Sequence, residues 1–99
     1  MKIPAFGHKG LFIQPTVARY GNGNVAVTLE LQSGEPYARL SINIPHAALE
    51  PDEFVVNHDC NDIPGLLSAA KRSGFIDTGK LVHYGFSDDL HQPIWRLPA

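Results

Sequence analysis

His58, Asp59 and Cys60 stand together in this chain, just before a helix-forming stretch. Imidazole and thiolate are metal ligands, and a helix N-terminus can lower a thiol's pKa. One cysteine and one adjacent histidine do not close a tetrahedral site, however. The remaining histidines, His8, His46, His83 and His91, show no metal-ligand spacing along the sequence. Asp88 and Asp89, with His91 nearby, have the residue types of an acid–base pair, but adjacent carboxylates in a polar loop are ordinarily solvated. Gly21-Asn22-Gly23-Asn24-Val25-Ala26 matches G-x-G-x-x-A, yet a strand pattern follows where a dinucleotide fingerprint needs a helix. It reads as a hairpin turn. No nucleophile elbow, zinc-protease, P-loop or EF-hand motif is present. These residues point to no catalytic group, no metal site and no cofactor.

Recognition is the stronger lead. Tyr37 and Arg39 are two apart in a strand-like run and are expected to project from one side, with Thr28, Glu30, Ser41 and Asn43 near them. Tyr and Arg are enriched among interface anchors. The competing reading is a plain solvated face, with Arg39 pairing Glu30 across the strands.

The elements that position these residues follow from periodicity. Val25, Val27, Leu29 and Leu31 alternate with Ala26, Thr28 and Glu30. Ala38, Leu40, Ile42 and Ile44 alternate with Tyr37, Arg39, Ser41 and Asn43. A period of two in both runs predicts a half-buried antiparallel hairpin with one dry and one wet face and a firm register. Asn22-Gly23 and Ser33-Gly34 supply the turns. Pro45 ends the third run. Leu11–Ile13 and Thr16–Tyr20 read as strand segments on either side of Pro15. Phe54–Val56, Leu81–Phe86 and Pro93–Leu97 read as further short strands, with Asp77-Thr78-Gly79 as a turn. One helix is expected over Pro64–Ser73, capped by Asn61 or Asp62. Leu66, Leu67 and Ala70 make its apolar stripe, Lys71 and Arg72 face its negative end, and Gly74 terminates it.

At 99 residues the chain is one domain, 1–99, with a small core. Eight basic against ten acidic residues give a net charge of −2, which argues against direct nucleic-acid binding. A single cysteine forms no intrachain disulfide. The N-terminus lacks a secretory h-region, and no run approaches the roughly 18 apolar residues of a membrane span. A cytoplasmic protein without membrane association is expected.

The hairpin block resembles a family of small uncharacterised bacterial proteins from conjugative elements, plasmids and phages. The resemblance rests on Asn22-Gly23-Asn24, the strand Val25–Leu31, Gly34-Glu35-Pro36-Tyr37 and Leu40-Ser41-Ile42-Asn43-Ile44. It covers about 25 residues closely and the remaining chain loosely. It implies a mobile-DNA context and brings no catalytic residues. Small acidic proteins of such elements often block a host or rival machine.

The sequence therefore predicts an α+β domain, an antiparallel sheet of four to six strands with one helix packed on one face. Its expected role is a non-enzymatic protein–protein interaction module, in one form an inhibitor of a host defence machine. The contact surface is Tyr37, Arg39, Glu30, Ser41 and Asn43, or an edge strand. In one variant Glu30, Glu35, Asp88 and Asp89 mimic phosphates. The alternatives are a small metal- or thiol-dependent enzyme or metal-binding module using His58 and Cys60, and a homo-oligomeric structural protein.

Overall fold

A computed structural model describes residues 3–83 and 91–98. Among these described residues the fold is α+β: eight strands, one α-helix and a 3₁₀ turn at His58–Asp62. Every strand pairing is antiparallel. The strands are divided between two four-stranded sheets rather than gathered in one. β1 (Phe6–His8), β2 (Leu11–Arg19), β3 (Val25–Leu31) and β4 (Pro36–Arg39) form the first, in that order. β5 (Ser41–Ile42), β6 (Glu53–Val56), β8 (His91–Arg96) and β7 (Ile76–His83) form the second, in that order.

The first hairpin follows the alternation closely. β2 runs unbroken through Pro15, and seven successive pairs join it to β3, from Ile13↔Leu31 to Arg19↔Val25. Val25, Val27 and Leu29 are buried, whereas Ala26, Thr28 and Glu30 lie on the other face. At the Tyr20–Asn24 turn only Gly23 takes a positive φ, +90°, and its N–H donates to the Tyr20 carbonyl at 2.9 Å. Asn22 closes a local loop instead, its Oδ1 accepting from the Asn24 N–H at 3.2 Å.

The third run departs from expectation. Instead of one strand to Ile44 there are two short ones in different sheets. β4 ends at Arg39, Leu40 turns fully inward, and β5 pairs with β6. Leu40 links the two sheets: its N–H donates to Val27 of β3 at 3.0 Å, and its carbonyl accepts from Asn57 beyond β6 at 2.7 Å.

The main core lies between the inner face of the first sheet, one face of the second, and the helix α1 (Leu66–Ser73). Ile13, Val27, Leu29, Leu40, Phe54, Val56, Leu66, Ala70 and Trp95 are buried in it. Phe54 meets Phe75 edge-on at 5.9 Å and Trp95 at 6.5 Å between ring centroids, the arrangement aromatic quadrupoles favour. α1 starts two residues later than the sequence suggests. Gly65, φ +79°, is its N-cap with no side-chain cap, so neither Asn61 nor Asp62 serves. The C-terminus is as expected, with Lys71 and Arg72 in the last turn and Gly74 donating back to it. Among the described residues no helix is long and apolar enough to cross a membrane.

The other face of the second sheet is covered too. Ile44, Val55 and Ile94 form a smaller cluster, joined by Ile42 and Val82 of the neighbouring strands and covered by Ala47 and Leu49. β6 is therefore buried at all four positions and shows no alternation. One of them is Glu53. Its Oε1 accepts from the Glu50 N–H at 2.9 Å and from Lys80 Nζ at 2.8 Å, and Arg96 lies 3.8 Å from Oε2. Burial pushes this carboxyl up. The Glu50 amide, the Lys80 ammonium and the Arg96 charge outweigh that and hold it below its ordinary value of 4.5. Asp77-Thr78-Gly79, expected as a turn, instead makes a bulge within β7. Asp77 faces Trp95 and Lys80 faces the next residue, Ile94, with Gly79 at φ +80°. The bulge brings Lys80 to Glu53.

Candidate functional site

Glu30 and Arg39 keep their places on the outer face of the first sheet. Arg39 is exposed opposite Thr28, and Glu30 lies between Gln14 and Pro36. Among the described residues no ion pair joins them. The register shifts between them: Leu29 faces Ala38, but Glu30 faces Pro36, which leaves Tyr37 as an extra residue. A bulge of this kind rotates the side chains that flank it. Tyr37 turns inward, half-buried against the main core and edge-on to His8 at 6.2 Å. The expectation that Tyr37 and Arg39 share a surface is corrected on this ground.

Ser41 is also corrected. It is 0% exposed. Its Oγ accepts from the Val27 N–H at 2.8 Å and lies 2.8 Å from the Tyr20 hydroxyl. Tyr20 Oη–H can donate to the Ser41 carbonyl at 3.4 Å while Ser41 Oγ–H donates to Tyr20. The serine thus replaces a strand carbonyl where the chain leaves the first sheet.

Asn43 is half-buried and internally engaged. Its Oδ1 accepts from Asn22 Nδ2 and from Asn24 Nδ2, each at 3.1 Å. Two of the sequence signatures, the Asn-Gly-Asn turn and the Asn43 strand, are therefore one hydrogen-bonded assembly. Their joint presence has a structural cause.

What the outer face presents instead is Phe12. β2 places Ile13, Pro15 and Val17 opposite the inward-facing Leu31, Leu29 and Val27 row, so Phe12, Gln14 and Thr16 point outward. Phe12 is 55% exposed, and neighbouring Leu11 is 40% exposed. Contiguous shallow hollows meet at Phe12. Leu31 and Gln32 line one side, Gln14 and Glu30 the next, and Ile3 and Pro4 the third. The sequence held a signal for this. Three consecutive apolar residues in a strand of period two must send at least one to the outside, and Leu11-Phe12-Ile13 is such a run.

His58 and Cys60 do not form a reactive pair. Cys60 is buried in the 3₁₀ turn, and its thiol donates to the Arg39 carbonyl at 3.3 Å. Burial, and then the charge of Asp59, push this thiol up to about 11. It is a thiol at neutral pH, the reverse of an activated nucleophile. His58 is exposed, with Nε2 3.1 Å from Asp59. Asn57 organises the turn: its Oδ1 accepts from the Asp59 N–H at 3.1 Å, and its Nδ2 donates to the Arg39 carbonyl at 3.2 Å. Among the described residues no three ligating side chains share a centre. Asp88 and Asp89 lie outside the described residues. Glu35 sits exposed in the turn, its carboxylate accepting from Ser33 Oγ at 3.4 Å.

Comparison with family models, curated proteins and solved structures finds no match to this chain.

Proposed function

We propose that this chain is a non-enzymatic protein-binding module that docks a partner protein on the outer face of its first sheet. The observation that carries this reading is Phe12, a large aromatic side chain more than half exposed on a regular strand. Leu11 and Leu31 line the hollow beside it at the end of the strand pair, and Gln14, Glu30 and Gln32 surround it with polar groups. An apolar centre with a polar rim is the usual anatomy of a protein interface. Aromatic side chains fixed on strands lose little entropy on binding, which favours them as anchors.

The site differs from the Tyr37-centred surface expected from sequence, but Glu30 belongs to both. A thiol- or metal-dependent reading built on His58 and Cys60 is disfavoured by the buried, protonated thiol. The mobile-element setting, and action against a defence machine, rest on the hairpin resemblance alone.

A photo-crosslinking amino acid placed at Phe12, and separately at Arg72 on the helix, tests the proposal in the native host. Crosslinks to a second protein from position 12 and not from position 72 are expected. Crosslinks only to a second copy of this chain would replace the reading with a homo-oligomer. An equal yield from both positions would refute it.

A further inference from the structure

His83 and His91, separated by eight positions in sequence, are a cross-strand pair. They face each other in the β7–β8 register, one step beyond Val82↔Gln92. Their side chains therefore leave the same face of the second sheet. Their ring centroids are 4.3 Å apart, tilted by 49°, and both residues are exposed. His46 fixes this corner of the sheet. It sits in a turn closed by the Ala47 N–H donating to the Ile44 carbonyl at 3.0 Å. Its Nε2 lies 3.3 Å from the His83 carbonyl. A carbonyl only accepts, so His46 donates from Nε2.

We propose that His83 and His91 form a two-imidazole chelate for a borderline transition-metal ion of the zinc, nickel or copper class. Imidazole nitrogen suits these ions, and each zinc–nitrogen bond is about 2.0–2.1 Å long. Tetrahedral geometry then places the two nitrogens about 3.3 Å apart. Rings with centroids 4.3 Å apart reach that separation by rotation about their own side-chain torsions, with the backbone pair unmoved. Two protein ligands leave the other coordination positions to water. The sequence spacing resembles no metal motif because the register of β7 on β8, rather than a local repeat, brings the two imidazoles together. The site is separate from the Phe12 face and stands whether or not that face binds a partner.

The test is calorimetric titration of the full chain, without a histidine tag, with Zn²⁺, beside His83→Ala, His91→Ala and His58→Ala. Saturable 1:1 binding is expected in the parent chain and in His58→Ala. A loss of at least about tenfold in affinity is expected for each of the other two, since even outer-shell changes cost that much. Copper(II) paramagnetic resonance of the parent chain should show coupling to two equivalent nitrogens. Absence of saturable zinc binding, or retention of parent affinity in His91→Ala, would overturn the proposal. All three variants alter exposed side chains, and an unchanged melting temperature separates loss of ligand from loss of fold.

Discussion

The two sheets treat their outer faces in opposite ways. The second sheet is covered on its far side by Ala47 and Leu49, and even its carboxylate, Glu53, is buried and paired. The first sheet packs one face on the main core and leaves the other open to solvent, with Phe12 on it. A 99-residue chain has little apolar side chain to spare. One sheet is committed to holding the fold together, and the other offers a surface. The second sheet has exposed apolar residues too, Ile76 at 40% and, more exposed still, Leu81 at 63%. Leu81 stands on the outermost strand, opposite Pro93, whereas the hollows beside Phe12 have Leu11 and Leu31 at their margins. Contiguity, rather than exposure alone, distinguishes an interface from an ordinary surface hydrophobe.

Substitutions that break this division should differ in size. Trp95→Ala removes the largest fully buried side chain, on the second sheet, and should cost about 3–5 kcal/mol in chemical denaturation. Ser41→Ala, at the crossing between sheets, leaves the Val27 N–H without its acceptor and should cost about 1–3 kcal/mol. Ser41→Thr, which keeps the hydroxyl, should recover part of that loss, and Ser41→Val should not.

Glu53 gives the same contrast a pH signature. Its carboxyl titrates below 4.5 in the folded chain, so its stabilising contribution is complete above that pH and is lost as pH falls through the lower folded value. Glu53→Gln should flatten this acid limb of the stability curve. It should also reduce stability at neutral pH, because Lys80 loses its partner. The smallest effect on the fold is expected for Phe12→Asp, within about 0.5 kcal/mol, as for other exposed positions.

The same contrast marks how far the sequence could be read. β2 and β3 were legible because one side of each faces water and the other faces oil, and the alternation records that. β6 was only a short apolar run, since a strand covered on both faces has no alternation to show. The division into two sheets was hidden because Leu40-Ser41-Ile42 continues the apolar–polar rhythm. Pattern alone cannot tell a serine facing water from one satisfying a buried amide. The bulge at Tyr37 was hidden for a related reason: it changes which face a residue occupies without changing its type. The His83–His91 pair needed the register of two strands, which no local spacing carries.

The central claim is that the open face of the first sheet, and not exposed apolar surface in general, binds a partner. Affinity capture from host lysate with the parent chain, Phe12→Asp and Leu81→Asp, each matched for melting temperature, tests it most directly. The same stoichiometric partner should be recovered with the parent and Leu81→Asp and lost with Phe12→Asp. Retention by Phe12→Asp with loss in Leu81→Asp would contradict the account and move the interface to the edge of the second sheet.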